Sequence, residues 1–66
     1  MRIYLNGDAK VVNGPVTVRA LLDELDLAGK RVAVEVNEEI VPRSRHDSYQ
    51  LKESDRVEVV HAIGGG

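Results

Sequence analysis

The chain opens with Met1-Arg2-Ile3-Tyr4-Leu5-Asn6-Gly7-Asp8-Ala9-Lys10-Val11-Val12. Ile3 and Leu5 alternate with Arg2, Tyr4 and Asn6, the two-residue period of a strand with one buried face. Asn6-Gly7-Asp8 is a turn signal, because Asn and Gly tolerate the positive φ of a tight hairpin. A strand over Met1 to Asn6 therefore pairs with a second over Ala9 to Val12. Gly14-Pro15 then breaks the pattern. Thr17 is placed as a helix N-cap, its hydroxyl able to accept from an orphan amide. Val18, Leu21, Leu22 and Leu25 follow at i, i+3, i+4 and i+7, one face of a helix. Asp23, Glu24 and Asp26 fall on or near the other face. Gly29 reads as the C-cap, with Lys30 and Arg31 near the negative end of the helix dipole.

Val32, Val34 and Val36 alternate with Ala33, Glu35 and Asn37, a β-branched third strand. Ile40-Val41 reads as a short strand ended by Pro42. Residues 43–50 are polar and irregular, with Leu51 as a plug beneath them. Glu53-Ser54-Asp55 turns the chain into a final strand through Val57 and Val59. The order is hairpin, helix, strand, irregular stretch, strand. A helix following a hairpin can pack on one side of a mixed sheet, giving a two-layer α+β domain. With the last strand parallel to the first at the sheet centre, this is a β-grasp, or ubiquitin-like, roll. We expect four to five strands on one helix, in a single domain over residues 1–66 with a flexible tail at 62–66.

The chain has 66 residues, of which 42% are hydrophobic, enough for one small core. That size leaves no room for a buried cleft and a cofactor site, which favours a carrier, adaptor or subunit over an enzyme. A net charge of −2 offers no attraction to nucleic acid or to an anionic membrane surface. No apolar run approaches the ~20 residues of a membrane span, and the N-terminus has no signal-peptide pattern. A cytoplasmic protein, monomeric when free, is expected. There is no cysteine, so disulfides, Cys-rich zinc sites and a thiol nucleophile are excluded.

Chemistry is concentrated at the end of the sequence, Gly64-Gly65-Gly66. A run without Cβ atoms fits a channel too narrow for side chains. A carboxylate at its end can attack the α-phosphate of ATP to form an acyl adenylate open to sulfur. A plain disordered terminus is the competing reading. The ending Asp55-Arg56-Val57-Glu58-Val59-Val60-His61-Ala62-Ile63-Gly64-Gly65-Gly66 and the segment Asn37-Glu38-Glu39-Ile40-Val41-Pro42-Arg43-Ser44 carry a resemblance. Through them the sequence resembles the family of ubiquitin-like sulfur carriers, on its thiamine-biosynthesis (ThiS) branch. The same family includes the small subunit of molybdopterin synthase (MoaD).

The resemblance implies a carrier that binds no cofactor itself. A ubiquitin-activating-like adenylyltransferase would use ATP and Mg²⁺ to adenylate Gly66, with Ile63, Gly64 and Gly65 threaded into its channel. Sulfur from a donor such as a cysteine desulfurase would convert Gly66 to a thiocarboxylate for a thiazole synthase. The alternatives are a subunit of a molybdopterin synthase-type enzyme and a ubiquitin-like interaction module. Family members often carry Gly at the positions of Glu38 and Ser54, and an aromatic near His46. Ser54 resists positive φ, so a different turn is expected there.

If Ile3, Leu5, Val32, Val34, Val36, Val57 and Val59 face the helix, then Tyr4, Ala33 and Val60 face outward. These three form a candidate docking patch rimmed by Arg2 and Glu58; scattered exposed apolar residues are the ordinary alternative. Arg43, Arg45 and His46 read as a local basic cluster on a solvated loop. His46, Asp47 and His61 match no metal-ligand spacing, and no metal site is expected.

Overall fold

A computed structural model describes residues 1–61 of the chain. Five strands form one mixed sheet: β1 (Arg2–Leu5), β2 (Asp8–Val11), β3 (Val32–Val36), β4 (Glu39–Val41) and β5 (Arg56–His61), in the order β2-β1-β5-β3-β4. Helix α1 (Val18–Glu24) joins the hairpin to β3, and a 3₁₀ turn (Arg43–Arg45) follows β4. β1 and β5 are parallel, and every other pairing is antiparallel. This is the β-grasp roll expected from the element order. The expected tail over residues 62–66 lies outside the described residues.

Both two-residue hairpins are built on positive φ. Asn6 and Gly7 have φ of 50° and 89°, and Leu5 faces Asp8 across the turn. Asn37 and Glu38 have φ of 52° and 71°, and Val36 faces Glu39. Two successive positive-φ residues define the turn whose twist matches that of paired strands. Asn-Gly suits that geometry, whereas Glu38 has a Cβ that opposes it.

The core collects one face of each layer. Ile3, Val34, Val36, Val41, Val57 and Val59 from the sheet meet Val18, Leu21 and Leu22 from α1, with Val12 and Leu51 closing the ends. All are aliphatic, and burying each such side chain contributes about 1.5–3 kcal/mol. Leu5, Val32 and Leu25 are partly buried against this cluster. Thr17 caps α1 as its sequence position requires, its Oγ1 accepting from the Ala20 amide at 3.1 Å. Lys10 points to the helix side, where Nζ lies 3.6 Å from Glu24.

Three local expectations need correction. The helix ends at Leu25, and not near Gly29, because Asp26 turns to a φ of 61° and breaks the ladder. Gly29, with φ 83°, closes a separate turn in which the Lys30 amide bonds the Leu27 carbonyl at 3.0 Å. Ser54 does adopt positive φ, at 70°, so the turn is the glycine-type one despite its side chain. The Ser54 amide reaches the Arg2 carbonyl at 2.7 Å, and the Asp55 carboxylate accepts from the Lys52 amide at 2.8 Å. Those bonds hold the turn where intrinsic preference does not. Finally, His46 is no surface cation. It is buried, with Nε2 3.1 Å from the Val41 carbonyl, while Arg43 and Arg45 stay exposed.

Glu38→Gly and Ser54→Gly each replace a Cβ held at positive φ. The unfolded chain gains freedom from glycine, which offsets part of the relief. Each substitution is expected to raise unfolding free energy by about 0.5–1 kcal/mol in urea titrations. A loss of stability in both would contradict these turn geometries.

Candidate functional site

Two regions matter: the carboxyl end of the chain and the sheet face turned away from the helix. β5 connects them, since its last residue His61 directly precedes Ala62. The expected site residues Ile63, Gly64, Gly65 and Gly66 lie outside the described residues. What is described is the strand that leads to them, and it is held on both sides. The Tyr4 amide donates to the Asp55 carbonyl at 2.9 Å, and the Asn6 amide to the Val57 carbonyl at 2.8 Å. The Asn6 side chain continues the ladder past the end of β1. Its Oδ1 accepts from the Val59 amide at 2.9 Å, and its Nδ2 donates to the Val59 carbonyl at 3.3 Å. On the other side β3 pairs with β5 from Val36↔Val57 to Val32↔His61.

The start of β5 is fixed by a polar knot. Asn37 Nδ2 donates to Asp55 Oδ1 at 3.0 Å, and Asn37 Oδ1 accepts from the Arg56 amide at 3.0 Å. Asp55 is among the buried residues, and its second oxygen is taken by the Lys52 amide. Buried polar groups satisfied this fully add rigidity.

The outward face carries the three predicted docking residues. Ala33 and Val60 are direct cross-strand partners, and Val60 is 57% exposed. Tyr4 is half-buried on β1, opposite Arg56. Arg56 is four residues before Val60, so Tyr4 lies about 13 Å along the strands from the Ala33/Val60 pair. The structure thus brings two of the three together and separates the third. Glu58, expected at the rim, stands between them on β5. A shallow cavity of about 330 Å³ is lined by Tyr4, Gly7, Arg56 and Glu58.

Sequence reading missed Ile40, which is 73% exposed and lies opposite Glu35 on the same face. The signal was present in the two-residue turn Asn37-Glu38. It pairs Val36 with Glu39 and so sends Ile40 to the face of Glu35. On the helix side, a cavity of about 240 Å³ is lined by residues that include Arg19, Lys30, Arg43, His46 and Asp47. There Arg19 Nη1 is 3.3 Å from Asp47, a solvated pair of small energetic weight. Among the described residues, no group of three or more His, Asp or Glu side chains is placed to hold a metal ion. Among them too, no helix is long and apolar enough to cross a membrane.

A β-grasp whose central last strand leads into a glycine-ended sequence is the build of a ubiquitin-like carrier. Comparison with known proteins agrees. The ThiS family model matches residues 3–66. The sulfur carrier protein ThiS of Bacillus subtilis is 38% identical over 65 residues, covering 97% of this chain and 98% of that one. The crystal structure of a thiamine biosynthesis protein (ThiS) from Geobacter metallireducens superposes with a TM-score of 0.86 at 35% identity, covering 100% of both chains. A thiazole synthase of Paramagnetospirillum magneticum is 41% identical over 66 residues, which are 100% of this chain and 20% of that protein. The chain therefore spans about a fifth of the length of that larger relative. The chain belongs to the ThiS family.

Because the Val60 side chain lies outside the core, Val60→Asp is expected to cost about 1 kcal/mol or less of stability. A thermal melt checks this. Loss of cooperative unfolding would show that Val60 supports the fold.

Proposed function

We propose that the carboxylate of Gly66 is the working group of this carrier, and that the chain acts in the cytoplasm as substrate of a ubiquitin-activating-like adenylyltransferase. The carboxylate oxygen attacks the α-phosphate of Mg²⁺-bound ATP held by that partner, and pyrophosphate leaves. The acyl adenylate then loses AMP to sulfide at its carbonyl carbon, leaving a thiocarboxylate; where the sulfur arrives as a persulfide, its attack gives an acyl disulfide, which a thiol reductant cleaves to the thiocarboxylate. Sulfur reaches the partner from a donor such as a cysteine desulfurase, and the thiocarboxylate passes it to a thiazole synthase. ATP and Mg²⁺ belong to the partner.

The observation that carries this reading is the match of the family through residues 3–66, the glycine ending included. The absence of cysteine agrees with it, since such a carrier needs only its terminus. The thiazole synthase relative, which contains a segment similar to this chain, supports thiazole formation as the destination. Relatives named for thiamine biosynthesis favour this over a molybdopterin synthase-type subunit or an inert interaction module. The outward residues Tyr4, Ala33 and Val60 supply the docking surface that holds the chain while its end is in the channel.

Intact-protein mass spectrometry after incubation with the adenylyltransferase, MgATP and sulfide tests the chemistry. The expected result is exchange of one oxygen for sulfur, abolished by deletion of Gly66. Val60→Asp should slow adenylation about tenfold with the fold intact, a loss of about 1.4 kcal/mol in docking. No exchange with an enzyme active on another carrier would contradict the reading.

A further inference from the structure

His46 is only 7% exposed, and its Nε2 lies 3.1 Å from the Val41 carbonyl. A carbonyl only accepts, so Nε2 carries the proton, and the neutral ring keeps a lone pair on Nδ1. Nothing among the described residues donates to Nδ1. Among them every fully buried side-chain nitrogen or oxygen has a partner, so Nδ1 reaches solvent. The ring lines the helix-side cavity, and Nδ1 is its one open polar atom. An acceptor on a ring more than nine-tenths buried is thus left to be answered from outside the fold.

The same cavity is lined by the cations of Arg19, Lys30 and Arg43 against the single carboxylate of Asp47. Arg19 is engaged by Asp47 at 3.3 Å and by Asp23 at 3.5 Å. Lys30 and Arg43 are exposed and pair with no carboxylate among the described residues. The chain as a whole carries a charge of −2, so this wall reverses its sign locally. Two free cations favour an anion, and the Nδ1 lone pair favours an anion that still holds a proton. A phosphate monoester meets both conditions, because its second proton leaves only at about pH 6. Carboxylates and sulfate are fully ionised there and bring no donor. Size agrees: water occupies about 30 Å³ of the liquid, so a cavity of about 240 Å³ equals roughly eight waters. That suits a hydrated phosphate group and falls short of the ~300–1,000 Å³ that encloses a drug-sized ligand. Val32 also lines the cavity and faces His61 across β3·β5. A group held there sits at the end of the sheet from which the chain runs on toward Gly66.

We propose that this cavity binds the phosphate group of inorganic phosphate or of a small phosphate monoester, with Lys30 and Arg43 on its charged oxygens and His46 Nδ1 accepting from its P–OH. Arg19, held by Asp47, completes the wall. Whatever carries the phosphate, a nucleoside included, stays outside the cavity. The site is separate from the chemistry of Gly66 and stands whether or not the chain carries sulfur.

Amide shifts of the isotope-labelled full chain, titrated with inorganic phosphate, AMP, adenosine and sulfate at neutral pH and constant ionic strength, test the site. Phosphate and AMP should saturate shifts around Lys30 and Arg43 with a Kd of about 1 mM, the two within about tenfold of each other. Adenosine should shift nothing there. Sulfate has the same shape but no proton to give, so it should bind at least about threefold more weakly. That comparison reads His46 with the fold untouched. Lys30→Gln/Arg43→Gln should weaken phosphate binding at least about tenfold. The control Arg45→Gln/Lys52→Gln removes the same charge outside the cavity and should bind as the unmodified chain does. Shifts that never saturate, sulfate inside the threefold margin, no loss in the cavity variant or an equal loss in the control would each reveal a plain basic patch and overturn the site. Binding of adenosine alone, or AMP more than about tenfold tighter than phosphate, would make the nucleoside the recognised group and overturn it as well.

Discussion

The last strand of this chain is laid between the first and the third, and the rest of the molecule is arranged around that insertion. β5 reaches its place after the hairpin, helix and β3–β4 unit have been written, so its contacts with β1 span most of the sequence. Parallel pairing with β1 is brief, covering Tyr4↔Arg56 and Leu5↔Val57. The Asn6 side-chain carboxamide extends it, its Oδ1 accepting from the Val59 amide and its Nδ2 donating to the Val59 carbonyl. The Asn37–Asp55 knot fixes where β5 begins. With both in place, Val57 and Val59 point into the core, and Glu58 and Val60 point out.

This placement divides the work of the two sheet faces. The inward face is aliphatic and takes the helix, which supplies stability and touches nothing outside. Among the described residues no helix or strand covers the outward face, which carries Ala33 and Val60 as an apolar pair and Glu35 and Glu58 as an acidic one. The chemistry of a carrier requires only a carboxylate at an unhindered end. A short, rigid strand held by two neighbours sets the starting direction of that end. In the proposed function a chain of 66 residues needs no cleft of its own, because the partner would supply the nucleotide, the metal and the walls of the channel.

Much of this was legible in the sequence. Strand alternation at Ile3/Leu5, Val32/Val34/Val36 and Val57/Val59 named the inward face correctly, because a one-residue slip would expose every valine. Thr17 and the Val18-Leu21-Leu22 spacing gave the helix start. Its end was less legible: Gly29 is the obvious stop, but Asp26 turned first, and an aspartate at positive φ leaves a weaker signature than a glycine. Ser54 misled in the same way, since tertiary hydrogen bonds override its own preference. His46 was read with its charged neighbours, although its ring turns inward to a carbonyl, which spacing alone does not reveal. The outward placement of Ala33 and Val60 was legible in the alternation, but the distance of Tyr4 from them was not. Tyr4 and Val60 share a face, but the parallel register sets them apart along the strands.

Family membership rests on the chain as a whole, and the function proposed for it turns on one surface and one end. Nuclear magnetic resonance of the isotope-labelled chain, titrated with unlabelled adenylyltransferase and ATP, tests both together. The account predicts amide shift changes on the outward residues of β5 and β3 and through residues 62–66. The exposed residues Asp23 and Glu24 of α1 should stay unchanged. Changes concentrated on α1, with the outward face and the glycine end unperturbed, would contradict it.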